Sequence, residues 1–183
     1  MSTNNKLTPW QEFPDVWRNE TYFFNYIRGC LRKAWVRHPT KLKKLNEARF
    51  QIPNTNPRAK KATVWGCKCE VCGNLFPMKD IEVDHIVPAG RLQCLEDIQG
   101  FVERLLFVTT KDLRIVCKKT CHAAITLSEK NGISFQEALA EKTAIGLIKE
   151  KKDKEWLTDK GIVPASNQKS RRQQIVEYLR SSN

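Results

Sequence analysis

The sequence predicts an α+β protein in which two short strands and a cysteine-rich centre are flanked by helices on both sides. Three observations carry that prediction. Two cysteine pairs, Cys69 with Cys72 and Cys117 with Cys121, bracket the middle of the 183-residue chain. Between them, residues 79–87 alternate as a strand does, with Ile81, Val83 and His85 on one face and Glu82, Asp84 and Ile86 on the other. Outside them, apolar residues recur at helical spacing in residues 20–37, and Ser134 with Glu137 spells a capping box that opens another helix.

Taken in order, residues 1–18 hold Trp10, Phe13 and Trp17 around Pro9 and Pro14, an irregular lead-in whose aromatics pack on the next helix. That helix, at 20–37, carries Phe23, Phe24, Ile27, Cys30, Leu31, Ala34 and Trp35 as its apolar stripe, with Arg28, Arg32 and Lys33 on other faces. Its aromatics read as core, and its cations are the better candidates for a polyanion. A short second helix is expected at 41–50. The next stretch, IPNTNPRAKKAT, breaks regular structure with Pro53 and Pro57 and reads as a basic linker that presents Arg58, Lys60 and Lys61. Val64 and Trp65 lead into the first cysteine pair, after which Gly73 stands where the turn needs positive φ. Beyond the strand at 79–87, LEDIQGFVERLLF is an amphipathic helical insert, residues 112–117 form the second strand, and residues 118–130 are helical with His122 in the first turns. The capped helix is expected to run to about residue 154, and the tail SNQKSRRQQIVEYLRSSN forms a last short basic helix or stays flexible. This divides the chain into a basic helical arm and linker (1–62), a cysteine-bearing core (63–130) and a helical extension with a basic tail (131–183).

Composition narrows the function classes. The hydrophobic content of 40% is that of a globular chain, and no apolar run reaches the ~18 residues that a membrane span needs. The first residues, MSTNNKLTPWQEF, lack the basic and apolar regions of a secretory signal, so the expected compartment is the cytoplasm. There, seven cysteines argue for metal ligation over disulfides. Four thiolates at these spacings suit one tetrahedral Zn2+. Cys67, Cys69 and Cys72 could each contribute; the C-x2-C spacing favours Cys69 and Cys72 and leaves Cys67 as a spare thiol. Cys30 and Cys94 are expected in apolar faces. The net charge of +12 is uneven, with thirteen basic against four acidic residues in 1–66, nine against nine in 67–130 and ten against seven in 131–183. A neutral core beside a basic arm suits an enzyme acting on a polyanion, although a solvated helix surface explains the same bias.

Two of the three histidines, His85 and His122, fall inside the cysteine frame beside a carboxylate, where metal-assisted hydrolysis would put them. Together, Cys69, Cys72, Asp84, His85, Ile86, Pro88, Leu113, Cys117, Cys121 and His122 resemble the motif of the HNH endonucleases. The flanks TYFFNYIRGCLRKAW and LEDIQGFVERLLF resemble phage-encoded members, and the resemblance spans roughly residues 20–160. It implies a ββα-metal core with a zinc knuckle, flanked by N- and C-terminal helices, and hydrolysis of double-stranded DNA. His85 would be the general base, Asp84 and His122 would hold a catalytic Mg2+ or Mn2+, and the cysteines a structural Zn2+. A phage-encoded member would act in the host cell cytoplasm. Two departures stand out. The second pair is C-x3-C, one residue longer than usual, and Asp112 occupies the place of the family's middle Asn, where it either orients His85 or caps the turn. Thr126, one turn beyond His122, is a weak further ligand position, better filled by water. The rival classes are a zinc-stabilised nucleic-acid-binding module without cleavage and a thiol-redox protein using Cys69 and Cys72. The absence of a βαβ pattern around that pair disfavours the redox protein.

Overall fold

The computed structural model describes residues 7–56 and 58–181, and it is mixed helix and sheet. Of the sequence expectations, the first part of the lead-in (residues 1–6), Pro57 and the last two residues of the tail lie outside the described residues. In chain order the elements are α1 (Pro9–Glu12), α2 (Glu20–Val36), α3 (Pro39–Ala48), β1 (Phe50–Pro53), β2 (Thr63–Lys68), β3 (Leu75–Pro77), β4 (Ile81–His85), α4 (Asp97–Leu106), β5 (Leu113–Cys117), α5 (Ala123–Asn131), α6 (Phe135–Lys149), α7 (Asp153–Asp159) and α8 (Gln168–Ser181). They pack as two compact units, one from residues 7–49 with Val83–Ile115, the other from Phe50–Glu82 with residues 116–181. The strands β4 and β5 pair as a two-stranded sheet. Among the described residues, no helix is long and apolar enough to cross a membrane.

The first unit is built on α2. Asn19 caps it by accepting from the Tyr22 amide at 2.9 Å, and its apolar stripe closes over α4. Phe24, Phe101 and Leu105 are buried there, with Trp10, Phe23, Ile27, Leu31 and Trp35 packed around them. The lead-in is not wholly irregular, since Pro9 at its first position and a Thr8–Gln11 capping box start α1. In α3, Pro39 likewise nucleates the helix two residues earlier than the expected start, and the chain leaves it at Arg49 to enter β1. Cys30 corrects the sequence reading. Buried contact on α2 follows Phe24, Ile27, Leu31 and Trp35, which leaves Cys30 exposed, and Cys94 is only half-buried.

The second unit begins with a feature the sequence hid. The stretch read as a linker folds into a hairpin, β1 pairing antiparallel with β2 so that Phe50 lies opposite Gly66 and Pro53 opposite Thr63. Pro53 is tolerated because β1 is an edge strand and Pro53 its last residue. The loop between them is braced rather than loose. The Asn54 amide donates to the Ala62 carbonyl at 2.8 Å and its side chain to the Lys61 carbonyl at 3.0 Å. On the other side β2 pairs with β3, Gly66 opposite Pro77 and Lys68 opposite Leu75. Gly66 is required at this crossing. A Cβ there would lie 2.5 Å from the Phe76 carbonyl oxygen and collide with the buried Ile52 side chain. Gly66→Ala is therefore expected to destabilise the unit by about 1–3 kcal/mol, the usual cost of overpacking, as a lowered denaturation midpoint. An unchanged midpoint would mean that the β1–β2 pairing is not as described.

The remainder of this unit is helical. Ser134 and Glu137 form the expected capping box of α6, but that helix stops at Lys149 and not near residue 154. Lys151 takes the left-handed conformation, φ 59°, and the chain restarts as α7 with Asp153 buried and bonded to Arg171 Nε at 2.6 Å. The basic tail becomes α8, which buries Ile175 and Val176 against α6 and α7. Its arginines Arg171, Arg172 and Arg180 pair with Asp153, Glu141 and Glu137.

Candidate metal centre and histidine site

The four expected cysteines converge within the second unit. Their sulfur atoms all lie within 4.8 Å of one another. A tetrahedron with Zn–S bonds of ~2.3 Å has S···S edges of about 3.8 Å, so sulfurs this close together could hold one such ion. Local geometry explains the convergence. Cys69 follows β2, and the turn from it closes through Gly73 N–H to Cys69 O and Cys69 N–H to Asn74 O, both 2.9 Å. Gly73 adopts φ 73°, as its position in the sequence predicts. Cys117 ends β5, and the longer C-x3-C spacing is absorbed by a single π-turn at Lys118–His122 that precedes α5. The extra residue goes into that widened turn, which returns Cys121 to the cluster.

Amide donors point at the sulfurs, Cys117 N–H to Cys69 Sγ at 3.4 Å and Cys121 N–H to Cys117 Sγ at 3.3 Å. Burial works to raise the Cys69 thiol, but the amides of Cys72, Cys117 and Val71 outweigh it and bring Cys69 to about 7. Burial and the neighbouring thiols push Cys121 up instead. Four such sulfurs cannot all ionise side by side unless a cation joins them. Cys69, Cys117 and Cys121 are buried with Val116 and Ile125, with Phe76 and Phe135 packed against them, while Cys72 stays exposed. Cys67 is equally buried but contacts Met78 Sδ at 3.6 Å, outside the cluster.

His85 closes β4 in the first unit, and the expected alternation holds, with Ile81, Val83 and His85 buried and Glu82 and Asp84 between them half-buried. The ring lies 4.1 Å from that of Trp35, and Trp35 in turn lies 5.3 Å from His38. His85 Nε2 is 3.1 Å from the Leu105 carbonyl oxygen. A carbonyl can only accept, so Nε2 carries the proton and Nδ1 of the neutral ring keeps its lone pair. Although only 8% exposed, His85 lines an open cavity of about 350 Å³ with Glu103, Arg104, Phe107, Lys111 and Asp112.

Burial lowers the His85 pKa from its ordinary 6.5; the Leu105 carbonyl and Asp84 oppose this, and the charges of Arg32 and His38 add to it. The ring is thus neutral at pH 7. Because the folded value lies below the unfolded one, the unfolded chain binds more protons in the window beneath 6.5. The first unit is expected to lose stability as pH falls through that window. Melting wild type and His85→Gln side by side across it checks this: the wild-type slope should be the steeper, and equal slopes would remove His85 as the cause.

Asp84 receives Arg114 Nε and Nη2 on Oδ2 at 3.0 and 2.8 Å, a pairing across 30 residues of sequence that the motif did not suggest. The Asp112 carboxylate accepts from the Thr109 amide and hydroxyl, both at 2.7 Å, and these two donors lower its pKa. Of the two alternatives for that side chain, the turn cap is the contact present. Its backbone carbonyl does reach the histidine strand, accepting from the Ile86 amide at 2.9 Å. His122 ends the π-turn in the second unit, half-buried, and its carbonyl accepts from the Thr126 hydroxyl at 2.9 Å. Among the proposed nucleic-acid contacts, Arg32, Lys33, Arg58, Lys60 and Lys61 are exposed. Arg28 is half-buried, donates to Asn25 Oδ1 at 3.0 Å and lines a cavity of about 210 Å³ with Arg91, which the sequence reading overlooked. Comparison with known proteins yields no matching family model, no matching curated protein and no matching solved structure.

Proposed function

We propose that this chain is a metal-dependent DNA endonuclease of the HNH type, with a ββα-metal core and a structural Zn2+ on Cys69, Cys72, Cys117 and Cys121. The observation that carries the reading is His85: a neutral imidazole whose Nε2–H is held by the Leu105 carbonyl, lining an open cavity with Arg104 and Lys111. A water placed between Nδ1 and a phosphodiester in that cavity loses its proton to the ring as it attacks phosphorus. The Leu105 carbonyl fixes the tautomer and then stabilises the imidazolium that forms. Asp112 positions the strand through its backbone carbonyl on Ile86.

Asp84 and His122 offer a carboxylate oxygen and an imidazole nitrogen, a donor set that suits Mg2+ or Mn2+. Such an ion would supply positive charge to the phosphate and the departing 3′-oxygen. Arg114, already on Asp84, is a second source of positive charge for the same phosphate.

One alternative has its own support. With Arg114 on Asp84 and the Asp112 carboxylate on Thr109, a nucleic-acid-binding module without cleavage would need neither residue elsewhere. Incubating the purified protein with supercoiled plasmid across a panel of divalent metals separates the two. The endonuclease nicks or linearises the plasmid with Mg2+ or Mn2+; a binding module retards it intact.

The braced loop is expected to bind phosphate without reading sequence. Replacing Arg58, Lys60 and Lys61 by Ala should weaken all duplexes alike and lower the salt-dependence slope by up to about 0.9 per lost phosphate contact. A loss confined to one duplex sequence would contradict this.

A further inference from the structure

The first unit holds a cavity of about 210 Å³ between the start of α2 and the loop that leads into α4, and no step of the proposed chemistry uses it. Two guanidiniums line it, Arg28 from α2 and Arg91 from the loop, with Thr21 and Gln93 beside them. No described carboxylate lines it. Among the described residues neither arginine pairs with an acid, since Arg28 Nη2 donates to the neutral Asn25 Oδ1 at 3.0 Å. Asp97, at the start of α4, is turned to the backbone of the loop and accepts from the Gln93 and Cys94 amides at 2.8 and 3.3 Å. The loop is held at its other end as well, where Arg104 Nε donates to the Ala89 carbonyl at 3.0 Å.

Two like charges that share a cavity repel one another, and an anion between them turns that repulsion into attraction. The cavity is smaller than the ~300 Å³ of clefts that take a whole small molecule, so it suits a single anionic group. Guanidinium forks match phosphate oxygens two at a time. The floor is formed by Phe24 and Leu92, both buried in the core between α2 and α4, so a group that reaches it must be attached on one side only. An internal phosphodiester has chain on both sides and passes over the rim. A terminal phosphate can enter, and its second negative charge answers the second arginine.

We propose that this cavity binds the terminal 5′-phosphate of a DNA strand, with Arg28 and Arg91 on its oxygens. That the group is a terminal phosphate rests on the cavity. That it sits on the 5′ end of DNA rests on the endonuclease reading, in which the 3′-oxygen departs and the phosphate stays with the 5′ end. Strand ends left by cleavage are then ligands of the protein as well as its products.

Fluorescence anisotropy without added divalent metal tests it, using a 3′-labelled oligo-dT strand that ends in either a 5′-phosphate or a 5′-hydroxyl. Wild type should bind the phosphorylated strand about tenfold more tightly, the scale of hydrogen bonds to a charged group. Arg91→Gln should remove that preference while changing affinity for the 5′-hydroxyl strand by less than about twofold. Arg28→Gln should remove it too, and Arg28→Lys should keep only part of it, because lysine keeps the charge and loses the fork. Millimolar inorganic phosphate, against chloride at equal ionic strength, should bring the phosphorylated strand down to the affinity of the other. Melting midpoints establish that each variant is folded; Arg91 is exposed, so Arg91→Gln decides if Arg28→Gln fails that check. The inference is overturned if the two strands bind alike, whether or not inorganic phosphate raises the melting midpoint. It is equally overturned if Arg91→Gln weakens both strands to the same extent, if a 3′-phosphate is held as tightly as a 5′-phosphate, or if phosphorylated RNA binds more tightly than DNA. Should the preference hold while plasmid stays uncut in every metal, the cavity stands and the endonuclease reading falls; plasmid cut by a protein with no preference gives the reverse.

Discussion

Cys69→Ser protein is expected to purify without bound metal and to lose the cooperative unfolding of the second unit, while wild type carries one equivalent of zinc. The magnitude comes from what the cluster replaces. Around Cys69, Cys117 and Cys121 the buried apolar partners among the described residues are Val116 and Ile125, with Phe76 and Phe135 at the margin, little apolar surface to hold a knuckle, a π-turn and a helix start together. A structural zinc contributes on the order of 10–16 kcal/mol in apparent binding free energy, more than the whole stability of a typical domain. Removing one thiolate ligand should therefore abolish the unit's transition rather than shift it by a few degrees. Acid should act in the same direction, since each proton returned to a thiolate competes with the ion. Cys67→Ser is the informative control: equally buried, but outside the four-sulfur cluster, it should keep its zinc and show only the modest cost of a polar atom beside Met78. Metal analysis of reduced protein decides the matter. One equivalent of zinc in Cys69→Ser, with an unchanged melt, would remove the cluster as a zinc site.

His85→Ala is expected to lower the plasmid-cleavage rate ~10²- to 10⁴-fold, the contribution of a positioned base, while binding DNA nearly as wild type does. Substituting Asp84 or His122 should fail differently. If they hold the cation, Asp84→Ala and His122→Ala raise the magnesium needed for half-maximal rate, and excess metal restores part of the activity. No amount of metal repairs His85→Ala, whereas imidazole added to the solution can enter the cavity left beside Trp35 and recover some rate. Asp84→Ala also strips Arg114 of its partner, so its melt must be measured beside its metal dependence. Wild-type cleavage by His85→Ala sinks the general-base assignment; full activity of Asp84→Ala and His122→Ala at low magnesium sinks the metal assignment.

Much of the candidate site was legible because its signals are local. Thiolate pairs at C-x2-C and C-x3-C have the spacing that a shared tetrahedral ion needs, and period-two alternation is enough to put His85 on the buried face with Val83 and to turn Asp84 away from it. Gly73 and the Ser134–Glu137 box likewise state their conformations within four residues. The helical stripe of α2 was read correctly in outline and wrongly at Cys30, because a stripe broad enough to include that residue is wider than the face α4 covers.

What the sequence by itself determined is chemistry and local geometry: which sulfurs suit one ion, which strand carries the histidine, where the capped helix α6 begins. What only tertiary structure decided is every pairing between distant residues. Ile52 over Gly66 turned a Pro- and Asn-rich linker into a hairpin, since pairing across the sheet outweighs the weak β-propensity of the segment. Met78 is the partner that the spare thiol of Cys67 meets, 11 residues away. The Leu105 carbonyl, 20 residues from His85, selected its tautomer, and Arg114, 30 residues from Asp84, paired with the Asp84 carboxylate. Periodicity reports the face a residue occupies over a few positions of chain, but the partner met on that face depends on how the whole loop closes, and no local pattern encodes it.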